Sequence, residues 1–211
     1  PVYGSLALTT SWSNVWRQSC WMRTGWFDRE QDFWDHFAAT GTLEERTYGP
    51  SPDGQSDIGT LGLRVTLAPG EKATLPFYLS WYLPNFAKYW GWLAAPGSGE
   101  HEGSRPRWKN YYATLWSDAL DVARYYAVNR ERLYAQTKRF HDVLYASTLP
   151  PYVLDALSSQ ASILHSPTVI RLPDGTFYGF EGCTCDRGSC EGSCTHVWNY
   201  AQTNAFLFPA L

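Results

Sequence analysis

The chain has 211 residues, 44% of them apolar, and 17 basic against 20 acidic side chains give a net charge of −3. That apolar share supports a buried core and excludes a disordered chain, while the lack of any continuous Lys/Arg stripe excludes nucleic acid as a partner. No run approaches the ~18 apolar residues of a membrane-crossing helix, so no transmembrane segment is expected.

Eleven Trp, fourteen Tyr and ten Phe make up 17% of the chain. Flat rings stack on the C–H faces of sugars, and they also fill cores, so this wealth suggests a ligand class without selecting it. Pro1 opens inside the strand-like "VYGSLALTT" and the chain stops in the apolar "NAFLFPAL", with Met22 its single methionine. The sequence therefore reads as a piece of a longer protein.

Residues 1–95 alternate apolar and polar positions in short runs, clearest in "GSLALTTS" and in "IGTLGLRVTLAPGEKATLPFYLSWYLP" around a Pro69–Gly70 turn. Period two predicts antiparallel strands, and the simplest architecture for them is an incomplete β-sandwich. Within this segment "DREQDFWDHFAATGTLEE" spaces Phe33, Trp34 and Phe37 as a helix does and ends near Gly41, while "GPSPDGQSD" reads as a surface loop.

Between Tyr111 and Ser147 apolar residues recur at threes, fours and sevens with no Gly or Pro, which predicts one long helix or a close pair linking two domains (residues 96–148). Arg124, Arg130, Arg132, Lys138 and Arg139 are interleaved with Glu131 and Asp142, the mark of a solvated face. Pro150 and Pro151 end that segment and preorganise a helix whose Val153, Leu154, Leu157, Ala161 and Leu164 form one buried face, so a second domain is placed over residues 149–211. "TVIRLPDGTFYGFEG" then predicts a hairpin about Asp174–Gly175, and "THVWNYAQTNAFLFPAL" resumes a helical rhythm.

Four of the five cysteines fall within residues 183–194, close to His196. Thiolate and imidazole are the ligands of tetrahedral zinc, and Cys183, Cys185, Cys190 and Cys194 with His196 define a metal-stabilised interaction module as one reading. Their spacing lacks the C-x-x-C pair that wraps two ligands around one metal, which favours a disulfide-bridged or partly free-thiol loop and no metal. The odd count leaves the compartment open, with a cytoplasmic setting preferred to a secreted one. Glu181 ends the hairpin in "YGFEG", a carboxylate beside an aromatic wall, and competes with the ordinary reading of an exposed turn glutamate. His196, near a helix start, has a structural hydrogen-bonding role as its rival reading.

In combination, "SWYLPN", "LPPYVLDAL", "DGTFYGFEG" and "CTHVWNYAQTNAFLFPAL" resemble, in that order, glycoside hydrolase family 116. That family includes the non-lysosomal glucosylceramidases, or bile-acid β-glucosidases, and their bacterial relatives. The resemblance extends over nearly the whole chain, is most specific over residues 173–211, and includes "GSLAL". It implies an α+β multidomain protein, with a partial β-sandwich, a long linking helix and the first part of an (α/α)6 barrel. It implies Glu181 as the nucleophile of a retaining mechanism, with an aspartate acid/base further along the barrel than Leu211, and no cofactor.

The implied substrate is a β-glucoside or a glucosylceramide-like glucoside. His196 matches the position where bacterial members hold a sugar-binding aspartate, which makes it the expected substrate contact with an altered hydrogen-bonding capacity. The cysteine-rich stretch is longer than the matching loop of those members, and Glu191 within it is given no catalytic role. A non-catalytic carbohydrate-binding sandwich using Trp81, Trp90 and Trp92 as a stacking platform is the remaining alternative.

Overall fold

The structure, a computed structural model, describes residues 4–52, 54–88, 107–184, 188–193 and 199–211. Among the described residues eight strands pair two by two: β1 (Ser5–Thr9) with β4 (Tyr78–Tyr82), β2 (Val15–Gln18) with β3 (Thr60–Leu63), β5 (Asn85–Ala87) with β6 (Arg107–Lys109), and β7 (Val169–Arg171) with β8 (Phe177–Gly179). The described residues also form four α-helices, α1 (Asp28–Thr40), α2 (Ala119–Tyr145), α3 (Pro151–Ala161) and α4 (Asn199–Leu207). The result is an α+β chain with short antiparallel sheets, and no closed barrel forms among the described residues. The chain divides into two compact units, Ala7–Leu79 and Pro1–Leu6 with Ser80–Leu211.

In the unit Ala7–Leu79, β2 and β3 run antiparallel in the register Val15↔Leu63 to Gln18↔Thr60. α1 supplies an aromatic ridge, in which Phe33 lies 4.7 Å from Trp21 and 5.8 Å from Phe37, and Phe37 lies 5.9 Å from Trp16. The helix stops where expected, because Gly41 adopts φ +68° and its N–H donates to the Phe37 carbonyl at 2.7 Å. β3 and β4 flank the turn at Pro69–Gly70, yet they pair with different partners rather than with each other. Alternation identified both strands, but it carries no information about which edge each one meets.

The other unit contains α2. Asp118 caps that helix, its Oδ1 accepting from the Asp121 N–H at 2.8 Å, while a separate 3-10 turn spans Tyr111–Thr114. The predicted long segment is thus interrupted, because the "SDALD" cap restarts the helix at Ala119. Ala119 and Ala123 are its buried residues, and the missing side-chain bulk lets Ser80 Oγ donate to the Ala119 carbonyl at 2.8 Å and the Ala119 N–H donate to Ser5 Oγ at 2.9 Å. Asp118→Ala removes the cap, and we expect a loss of about 1 kcal/mol in urea unfolding.

α3 begins at Pro151 as the Pro-Pro step dictates, and the Val153 N–H donates to the Pro150 carbonyl at 2.9 Å. Leu154 is buried, Val153, Leu157 and Ala161 are half-buried, and Asp155 and Ala156 are exposed, which matches the predicted face. α3 packs on α4.

Candidate functional site

The β7–β8 hairpin forms around the predicted Asp-Gly turn. Gly175 holds φ +90°, a conformation that favours glycine, and its N–H donates to the Leu172 carbonyl at 2.9 Å. The Leu172 N–H donates to the Thr176 carbonyl at 2.8 Å, and the Thr176 N–H donates to Asp174 Oδ1 at 2.9 Å. That backbone donor holds the Asp174 carboxyl below its ordinary value of 3.8. A depressed carboxylate pKa stabilises the folded state above the unfolded value, and the contribution disappears as pH falls through the folded value. The Thr176 amide resonance is therefore expected to titrate with a midpoint below 3.8, and Asp174→Ala to abolish that step in an NMR titration.

The turn sets the register Val169↔Gly179, Ile170↔Tyr178 and Arg171↔Phe177, and the strand leads directly into Phe180 and Glu181. Phe180 is 0% exposed. Its N–H donates to the Thr168 carbonyl at 3.0 Å, and its own carbonyl accepts the Tyr200 hydroxyl of α4 at 2.6 Å. On the other side of Glu181 the Gly182 carbonyl accepts the Ser189 N–H at 2.9 Å. The Gly179 N–H donates to Ser193 Oγ at 3.4 Å, and Gly192 lies so close to the Phe180 ring that a Cβ there would stand 2.4 Å from it. The backbone around Glu181 is thus anchored from both directions, and Glu181 Oε1 is shielded from solvent.

Arg171 stacks its guanidinium 4.0 Å from the centre of the Tyr111 ring, and its Nη2 donates to the Ala210 carbonyl at 3.4 Å. Across the same hairpin Tyr178 lies 5.9 Å from Trp108. Beside β8 is a cavity of about 290 Å³ lined by Phe177, Gly179, Tyr200, Asn204 and Phe208 among others. Glu181 is outside this lining, although Gly179, two residues before it, contributes to the wall. Asn204 is 6% exposed and neither amide atom has a hydrogen-bond partner among the described residues. Tyr200 and Asn204 were not singled out from the sequence. The signal was a spacing of four through Tyr200, Asn204 and Phe208, which puts a lone amide on an aromatic stripe.

The loop after Glu181 contains a bridge between Cys183 and Gly188, and Cys183 and Cys190 are exposed free thiols. Cys185, Cys194 and His196 lie outside the described residues. Among the described residues no group of three or more His, Cys, Asp or Glu side chains is arranged to hold a metal. Glu191 is exposed. Of the tryptophan platform, Trp81 on β4 is 61% exposed, and Trp90 and Trp92 lie outside the described residues. No described helix is long and apolar enough to cross a membrane.

The stretch that runs from β1 into α2 is the part of the chain that comparison with known families identifies. The sequence model described as beta-glucosidase 2, glycosyl-hydrolase family 116 N-terminal domain, matches residues 2–133, and the chain belongs to that family. No curated protein matches the chain.

Proposed function

We propose that this chain belongs to a retaining β-glycosidase acting on β-glucosides or glucosylceramide-like glucosides, with Glu181 as the nucleophile. Family membership supports glycoside chemistry, and one structural observation supports the residue: Glu181 follows a hairpin strand anchored on both sides, with one carboxylate oxygen shielded from solvent. Attack by an ionised carboxylate requires such a hold, because the oxygen must meet the anomeric carbon in line with the departing oxygen.

In this reading the sandwich extends over residues 1–95, a linker over 96–148 that carries β6 before its helical part, the 3-10 turn and α2, and an (α/α)6 catalytic domain begins at 149. The acid/base partner is an aspartate of that catalytic domain, C-terminal to residue 211. It sits about 5–5.5 Å from the nucleophile and stays protonated until it releases the leaving oxygen. His196 hydrogen-bonds a sugar hydroxyl. The test is covalent: a 2-deoxy-2-fluoro-β-glucoside with a good leaving group should trap a glycosyl-enzyme on the peptide containing Glu181. Trapping on any other carboxylate would remove the assignment.

A further inference from the structure

The unit Ala7–Leu79 contains a second cleft, of about 480 Å³, lined by Trp21, Arg23, Arg29, Gln55 and Asp57 among others. Its size falls in the range of small-molecule sites. Its frame is preorganised: Arg23 Nε and Nη2 donate to the two Asp57 oxygens at 2.8 and 2.7 Å, and Nη2 also donates to the Gly49 carbonyl at 2.6 Å. The guanidinium lies 4.7 Å over the Tyr48 ring, and the ion pair is only partly covered, with 30% and 26% of the two side chains accessible. Trp21 is fixed by donation from its indole N–H to Thr60 Oγ1 at 2.7 Å.

These groups define the ligand by chemistry. Arg23 is matched by Asp57, and Arg29 by Glu30 at 3.2 Å, so the cleft offers no uncompensated cation to an anion. It offers instead a carboxylate with spare lone pairs, guanidinium N–H groups, the Gln55 amide and an indole wall, a mix of donors, acceptors and apolar surface that suits a ring carrying several hydroxyls. Directly after Gly25 of the cleft wall, Trp26 is 88% exposed and holds φ +56°. A bulky residue rarely adopts that backbone, and an indole so open to solvent is not kept there by burial. An exposed indole one residue along the chain from the wall of a polar cleft is available to stack on the C–H face of a sugar.

We propose that this cleft, with Trp26 beside it, binds a neutral saccharide. The site shares no residue with the hairpin of Glu181 and does not depend on the glycosidase reading. The test is a titration of the full chain with cellobiose, and separately with inorganic phosphate, followed by the tryptophan indole N–H signals. Cellobiose is expected to shift the Trp21 and Trp26 signals saturably. Trp26→Ala and Gln55→Ala, both changes of exposed side chains, are each expected to weaken binding about tenfold or more, and Glu181→Gln to leave it unchanged. The proposal is overturned by the absence of a saturable cellobiose shift, by shifts that persist in both cleft variants, by loss of the shift in Glu181→Gln, or by phosphate producing the same shifts.

Discussion

Glu181→Ala, in the enzyme with its family's complete catalytic domain, is expected to lower kcat about 10⁴-fold or more, the scale on which removal of a covalent nucleophile acts. Added azide should restore turnover. In the proposed mechanism, truncation leaves a space at the face from which the carboxylate would attack, and a small anion can enter that space and strike the anomeric carbon opposite the leaving group. From a β-glucoside this single displacement yields the α-glucosyl azide, whose configuration is read by NMR. Loss of the acid/base carboxyl would give the opposite product, because azide would then intercept the glycosyl-enzyme and a second inversion would restore the β configuration. The stereochemistry therefore separates a nucleophile from a proton donor, and unaltered hydrolysis by Glu181→Ala would sink the proposed function. Glu181→Gln is the closer isostere and should abolish fluorosugar labelling while leaving the fold intact.

The second large effect is structural. Phe180→Ala is expected to cost about 3–5 kcal/mol in denaturant unfolding, the range for deleting a fully buried aromatic ring. Phe180 is 0% exposed, and Gly192 approaches the ring so closely that a Cβ there would stand 2.4 Å from it. Removing the ring therefore empties a space that rigid backbone borders, and such a space collapses poorly. The main chain of residue 180 is held by the Thr168 carbonyl and the Tyr200 hydroxyl, and the ring fills the space beside that hold, so its loss leaves the hydrogen bonds without packing behind them. The replacement should consequently lower labelling of Glu181 even under conditions where the unit remains folded. A loss below about 1 kcal/mol would mean that Phe180 is not the centre of this packing.

Much of the local structure was legible because it depends on neighbours in sequence. The Asp174–Gly175 turn, the Pro150–Pro151 helix start and the Gly41 stop each rest on one residue's backbone restriction, and each appears where the pattern places it. The break before α2 was legible too, in "SDALD", but the apolar spacing of Tyr111–Ser147 masked it, since an apolar period continues through a cap unchanged. Glu181 stood out through its Phe-Glu-Gly setting and the family resemblance, whereas local pattern alone favoured an exposed turn residue.

What the sequence determined by itself is therefore the strands and helices with a clear period, their turns, and the family, because φ/ψ preference and periodicity act over a few residues and motifs are strings; β6 and the 3-10 turn at Tyr111–Thr114 went unread. Only the tertiary structure decided that β1 takes β4 and β2 takes β3. It alone brought Thr168, Ser189, Ser193 and Tyr200 onto the backbone around Glu181, and gathered Trp21, Arg23 and Asp57 into one cleft. Those associations join residues far apart along the chain, where hydrogen-bond geometry and packing choose the partner and no local preference specifies it.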